Sequence, residues 1–249
     1  MAFLQKKEVK RELKDGQIHN RRYVLSLYAK IDGAQLVDKK NLLEDMKRVL
    51  RALCPSVKSE KRLKNHEIVF KQKGTSTTGG AGMPITIGER RLRAWCELGS
   101  KEKGIVVCGD EYHLVNYSRP LPQHSHSAFV RSFDSSLVGE GFESFLQFLG
   151  YEFEYEYVAD GTIFYLTDTI EIQMYQVLKV EHGGFRTWKG GKNALQTKPA
   201  WNRPWWIVEI RATCDDASKL QASETLIEKF ATCLKDYGVF YANVHRATL

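Results

Sequence analysis

Apolar and polar positions alternate along several short runs and recur at helical spacing in three others. Tyr23 to Ile31 (YVLSLYAKI) predicts a strand ended by a turn at Asp32-Gly33. Leu42, Leu43, Met46, Val49, Leu50 and Leu53 fall on one helical face, which predicts a helix over Val37 to Leu53 stopped by Pro55. His66 to Lys73, Leu92 to Leu98, Ile105 to Val107 and Tyr112 to Tyr117 read as strands. Phe142 to Leu149 predicts a short helix closed by Gly150 in the left-handed conformation. Three strands follow, Tyr151–Val158, Thr162–Leu166 and Ile170–Val180, with turns at Asp160-Gly161 and Thr167–Thr169. Trp205 to Thr213 is a further strand. Lys219 to Tyr237 is a helix with Ser218 and Gln221 spaced as a capping box and Gly238 at its end. The order predicts one α+β domain over residues 23–249, an antiparallel β-barrel flanked by helices. Loop insertions are expected near 74–84, 119–139 and 182–204, where glycine, serine and proline collect.

One stretch raises a chemical question. In LGYEFEYEYVADGTIF, Glu152, Glu154 and Glu156 alternate with Tyr151, Phe153, Tyr155 and Tyr157. An unbroken strand puts the carboxylates on one face and the aromatics on the other. An inward acidic row would need a cation or basic neighbours. Burying four aromatic side chains is worth about 1.5–3 kcal/mol each, and burying an unpaired carboxylate costs more. The expectation is a buried aromatic face and a solvated acidic one.

Composition narrows the class. The chain has 249 residues and a formal net charge of +7. Much of the excess sits in residues 1–22, a basic and flexible extension without interleaved aromatics for base stacking. No run is long and apolar enough to span a bilayer, and the start lacks a signal-peptide core. The five cysteines are scattered with no C-x-x-C pair, which fits reduced thiols and argues against structural zinc or a disulfide framework. Phosphate-loop, dinucleotide-binding, zinc-protease and serine-hydrolase signatures are all absent. His124 and His126 lie in a serine-rich stretch that reads as loop.

The hydrophobic helix, Gly150-Tyr151, strand, Gly161 and strand of LGYEFEYEYVADGTIF resemble the segment that marks the Mediator subunit 18 family. HEIVFKQKG at His66–Gly74 is similar to an earlier strand of that family. YVLSLYAKI with its following helix and the C-terminal VEIRATCDD with its helix resemble the family's two ends. The resemblance implies a nuclear, non-enzymatic subunit of the Mediator head module with no metal and no cofactor. It implies pairing with Mediator subunit 20 and the C-terminal helix of Mediator subunit 8, contact with other head-module subunits and RNA polymerase II, and no sequence-specific nucleic-acid binding. It further implies a barrel related to the metal-dependent RNA triphosphatases of the tunnel type. Their first catalytic strand reads Glu-x-Glu-x-Lys. Here the corresponding stretch is Glu67-Ile68-Val69-Phe70-Lys71, and the closing strand has Glu209-Ile210-Arg211. Each strand thus lacks one ligand of an oxygen cage for Mg²⁺ or Mn²⁺.

The rival from another class is a tunnel-type hydrolase of polyphosphate or RNA 5′-triphosphate, using Glu67, Lys71, Glu152, Glu154 and Glu209. A third reading is a basic nucleic-acid-binding module built on the N-terminal extension with Lys189, Lys192, Lys198 and Arg203. Partner binding points to tryptophan. Trp188, Trp201, Trp205 and Trp206 are four of the five in the chain, and tryptophan is enriched at binding hot spots. Trp205 and Trp206 open a strand and must face opposite ways. Either Trp206 packs inside with Val208 and Ile210 while Trp205 covers the barrel end, or the outward ring joins Trp201 and Trp188 as a partner anchor.

Overall fold

The computed structural model describes residues 22–32, 42–55, 59–72, 76–78, 84–86, 91–101, 105–108, 111–118, 121, 127–139, 141–180, 197–200, 205–238 and 240–241. The N-terminal half runs β1 (Arg22–Asp32), α1 (Leu42–Leu53), β2 (Glu60–Gln72), β3 (Ser76–Thr78), β4 (Pro84–Thr86), β5 (Arg91–Lys101), β6 (Ile105–Cys108) and β7 (Tyr112–Tyr117). The rest runs β8 (Phe129–Val138), α2 (Phe142–Phe148), β9 (Tyr151–Tyr165), β10 (Ile170–Val180), β11 (Thr197–Pro199), β12 (Trp205–Cys214) and α3 (Leu220–Cys233).

Hydrogen bonding passes from β10 through β12, β1, β8, β7, β5 and β2 to β9, and β9 pairs back onto β10. Eight antiparallel strands therefore close into a barrel, which removes the free edges of an open sheet. β6 adds to β5 and β11 to β10, while β3 and β4 make a separate hairpin.

Two apolar layers lie outside the wall. Leu25, Leu27, Ala29 and Ile31 of β1 join Ile170, Ile172, Met174, Val208 and Ile210 beneath Met46 and Leu50 of α1 and Leu220 and Ile227 of α3. On the other side Ile68, Phe70, Leu92, Ala94 and Val158 pack beneath Phe142 and Leu146 of α2. The opposite faces of the same strands line the lumen, where Leu63, Val69, Tyr157, Ile163, Val177 and Ile207 gather with Tyr28, Tyr155 and Tyr175. Side chains buried fully in such layers contribute about 1.5–3 kcal/mol each.

Several expectations need correction. The 119–139 insertion contains β8, a wall strand that pairs with both β1 and β7. Its serines misled, because β8 alternates weakly and is held by its two neighbours. Residues expected to form a loop near 74–84 include β3 and β4, and part of the 182–204 stretch forms β11 on β10. Residues 1–21, 181–196 and 201–204 lie outside the described residues. Asp160-Gly161 is no turn, since β9 runs straight through it. Gly161 is needed there for close approach: a Cβ would lie 1.9 Å from the Met174 carbonyl oxygen and 2.6 Å from Tyr175 Cα. Gly150, by contrast, does close α2 at φ +81°, the left-handed region glycine favours. Before α3 the cap is Asp216, whose carboxylate accepts from the Ser218 N–H at 2.8 Å ahead of a 3₁₀ turn at Ala217–Lys219. The Ser218–Gln221 capping box does not form.

Candidate functional site

The alternating stretch at the start of β9 does not keep one facing. Val69 pairs with Tyr155, but the next residue, Phe70, pairs with Phe153, so Glu154 is an extra residue in β9. Such a bulge reverses the inward–outward alternation across it. Tyr151 and Phe153 consequently pack outside the wall beside Ile68 and Phe70, whereas Tyr155 and Tyr157 enter the lumen. The acidic row splits as well. Glu152 is exposed opposite Lys71. Glu154 takes a two-pronged ion pair from Arg91, at 2.8 Å from Nε and 2.7 Å from Nη2. Glu156 lies on the outer wall, 2.9 Å from Nε2 of His66, with its side chain 12% exposed. The expectation of one solvated acidic face therefore fails for Glu154 and Glu156.

His66 is buried, and its Nδ1 lies 3.2 Å from the Tyr112 hydroxyl. Burial opposes a charge on the imidazole, yet hydrogen bonds to Cys96 and Glu156 outweigh it and the pKa is raised. Sequence reasoning missed this group, although His66 shares its face with Ile68 and Phe70. That placement was the available signal for a buried, partnered histidine.

The lumen holds the strand positions that the resemblance pointed to. Val69 is buried there. Glu67 accepts from the Tyr157 hydroxyl at 2.5 Å and sits 3.9 Å from Arg93. Across the barrel, Glu209 accepts from the Ser26 hydroxyl at 2.7 Å. Arg211 lies 3.6 Å from Glu171 and 3.5 Å from the Tyr117 hydroxyl. Arg131 meets ring faces instead of a carboxylate, 4.3 Å from Tyr117 and 4.6 Å from Phe129. Its Nε and that of Arg211 are buried without an acceptor among the described residues.

The charged and phenolic groups in this space act on one another. Burial and the Glu67 carboxylate hold Tyr157 well above the usual phenol range. Burial, with Glu209 second, does the same to Tyr28. Burial also pulls the Arg131 pKa down. Arg211 goes up: burial works against its charge, but Tyr117, Glu209 and Glu171 more than offset it. Among the described residues no three His, Cys, Asp or Glu side chains converge as a metal-binding group. The Glu67–Val69 and Glu209–Arg211 pairs leave a hard cation short of oxygen ligands. Among the described residues the arrangement is a barrel filling of aromatic, apolar and partly ion-paired side chains.

Of the tryptophans, Trp188 and Trp201 lie outside the described residues. Trp205 is half-buried at one end of the barrel, with the Lys30 ammonium 3.8 Å from its ring centre. Trp206 packs with the layer of Val208 and Ile210. That layer sits between the wall and the helices, so Trp206 packs, half-buried, outside the barrel and not in its lumen. In the lumen, Trp95 stacks on His113 with ring centres 4.2 Å apart.

No protein of curated description matches the chain significantly. Among solved structures, the Mediator head module of Schizosaccharomyces pombe contains a chain of similar fold, with a TM-score of 0.62 and 14% identity. The match covers 88% of this chain and 98% of that one. PH1819 protein from Pyrococcus horikoshii OT3 gives a TM-score of 0.45 at 13% identity, over 88% of this chain and 94% of that one. The Hippeastrum protein HpAC1, described as having a dominant triphosphatase activity, gives 0.41 at 11% identity, over 90% and 93% of the two chains. A family model described as Med18 protein matches residues 99–241, which run from near the end of β5 to the last described residue and take in five of the eight wall strands whole, with the helices α2 and α3. With more than half of its length matched, the chain belongs to the Med18 family.

Proposed function

We propose that this chain is a non-catalytic subunit of the Mediator head module, a structural and regulatory adaptor between transcription regulators and RNA polymerase II in the nucleus. Family membership over residues 99–241 is the observation that carries this reading. The lumen is consistent with it, because Val69 and Arg211 stand where a tunnel-type hydrolase needs carboxylates. A subunit of this kind works through its outer surfaces. Mediator subunit 20 and the C-terminal helix of Mediator subunit 8 are the partners we assign, with Trp188, Trp201 and Trp205 as partner-binding residues. The test is affinity purification of the tagged full chain from nuclear extract. Recovery of head-module subunits in stoichiometric amounts supports the proposal, and their absence overturns it.

A further inference from the structure

β1 and β8 are neighbours in the wall, but they are offset along it. Their ladder runs from Ser26 opposite Phe129 to Arg22 opposite Phe133 and stops where β1 begins. β8 continues five residues further, over 134–138, and these pair with β7 on one edge only. Successive residues of a strand direct their backbone N–H and C=O to alternate edges. The Ser132 carbonyl accepts from the Ser118 N–H on the β7 side. Ser135 and Leu137 therefore direct theirs to the β1 side, where no described residue pairs with them. Residues 134–137 are exposed, Leu137 at 56%. An unpaired edge of this kind is a template for another strand.

The opposite half of the same offset is closed by one end of the chain. Beyond the start of β8, the Tyr28 N–H donates to the Tyr241 carbonyl at 2.9 Å and the Tyr241 N–H donates to the Tyr28 carbonyl at 2.8 Å. For β8 the matching place falls to the segment just upstream of Arg22. Residues 17–21 lie outside the described residues, but the β1–β8 register fixes what they would meet. Continued one residue at a time, it sets Arg21 opposite Asp134, Asn20 opposite Ser135 and Ile18 opposite Leu137. Leu25 and Leu27 of β1 and Val130 of β8 lie in the outer layer. By strand alternation position 21 shares the outer face with Asp134, and position 18 shares the lumen face with Leu137. An arginine thus faces a carboxylate and an isoleucine faces a leucine, and both cross-strand pairs favour the register.

We propose that residues 134–138 of β8 are a strand-addition site and that the occupant is the chain's own segment 17–21. Asn20 exchanges both backbone hydrogen bonds with Ser135, and Ile18 does the same with Leu137. Only two such pairs hold the segment, so it opens more readily than β1 itself. Closed, it covers Leu137 and anchors the bases ahead of it, Lys6, Lys7, Lys10, Arg11 and Lys14, beside this edge. The pairing needs no other subunit.

The test is amide hydrogen exchange in the isolated full chain, resolved to Ser135 and Leu137, for the wild type and Asn20→Pro. Proline removes the donor at position 20. The expected result is slow exchange at both amides in the wild type and an acceleration of about tenfold or more in the variant, with the β1–β12 ladder unchanged. A second arm uses disulfide formation. Arg21→Cys with Asp134→Cys places two thiols on directly opposed residues, about 4.5 Å apart at Cα, a spacing a disulfide accepts. Mild oxidation joins them within one chain, as peptide mapping shows, whereas Arg21→Cys with Ser136→Cys stays open. Rapid exchange at Ser135 and Leu137 in the wild type, or protection that Asn20→Pro leaves untouched, overturns the proposal. Protection that appears only when head-module subunits are added puts a partner's strand on this edge. Protection that rises with chain concentration, with the disulfide formed between two chains, puts a second copy there. Either result overturns the assigned occupant.

Discussion

The Glu156 carboxylate lies 2.9 Å from His66 Nε2 on the outer wall of the barrel, on the side of the strand opposite the lumen-facing Tyr155 and Tyr157. The imidazole is buried, with Tyr112 and Cys96 as its other partners. Removing Glu156 leaves a buried polar ring short of a partner, at a cost of about 1–3 kcal/mol. Glu156→Ala is expected to lower stability by about that much in a urea melt, while Glu152→Ala changes it by under about 0.5 kcal/mol. Equal, small effects at both positions contradict the split facing.

The same pair gives a pH dependence. The folded pKa of His66 is raised above its unfolded value near 6.5. Its contribution is full below that unfolded value and is lost as pH rises through the raised folded value. Wild-type stability should therefore decline over this window on the alkaline side of pH 6.5, and His66→Gln should flatten the decline. Denaturant melts of both proteins at closely spaced pH values check it. A wild-type profile with no slope there removes the ion pair from the account.

The bulge at Glu154 makes the aromatics of both faces structural. Phe153 packs outside the wall and Tyr155 inside it. Truncation of either to alanine should cost about 2 kcal/mol or more, because each leaves a gap in a different apolar layer. Had β9 alternated without interruption, all four aromatics would share one layer. Their effects would then be strongly non-additive. Separate layers predict that the Phe153→Ala and Tyr155→Ala costs add within about 0.5 kcal/mol. A double-mutant cycle measures the coupling.

These residues also show how far the sequence could be read. Tyr112–Tyr117 and Ile170–Val180 appear at the expected boundaries, because each alternates cleanly and ends at polar residues. Helices α1, α2 and α3 were legible from their apolar stripes, although α3 ends at Cys233 and not at the expected Tyr237. The sequence did not reveal the bulge, since an extra residue in β9 is defined by its pairing with Val69 and Phe70 across the sheet. Asp160-Gly161 carried a turn signature, but the close approach of Met174 and Tyr175 decided its conformation. Serine-rich β8 lacked the apolar alternation by which strands are found. In the lumen, that Val69 and Arg211 are not carboxylates was legible from residue type alone. Its ion pairs could not be, because Glu171, Arg131 and Tyr117 come together only when the barrel closes.

Gly161→Ala should be far more damaging than Gly150→Ala. At Gly161 the added methyl meets backbone atoms of β10, which cannot move without breaking the β9–β10 ladder. The expected cost is about 3 kcal/mol or more, at or beyond the upper end for overpacking. At Gly150 nothing lies within 4 Å of the added Cβ, and only the positive φ is strained, at about 1–2 kcal/mol. Thermal melts of the two variants should rank in that order.

No release of phosphate from nucleoside triphosphate or RNA 5′-triphosphate is expected with Mg²⁺ or Mn²⁺. Glu67 and Glu209 are engaged by Tyr157 and Ser26, and Val69 and Arg211 supply no ligand. Turnover that disappears in Glu67→Ala would overturn the adaptor reading.

Trp205 offers a second way to separate packing from partner binding. Its ring is half-buried at the barrel end beneath the Lys30 ammonium, a cation–π contact worth about 0.5–1 kcal/mol at such a site. Trp206 beside it packs in the layer below α1 and α3, so Trp206→Ala should lower stability by about 3 kcal/mol. Trp205→Ala should cost less in stability and more in assembly. A ring that anchors a partner gives up about thirtyfold in affinity when truncated. Melting of the isolated variants alongside co-purification with head-module subunits distinguishes the two. A Trp205→Ala protein that melts near the wild type and still assembles fully removes this end of the barrel as a binding surface. A variant that melts normally but is lost from the complex places the contact there.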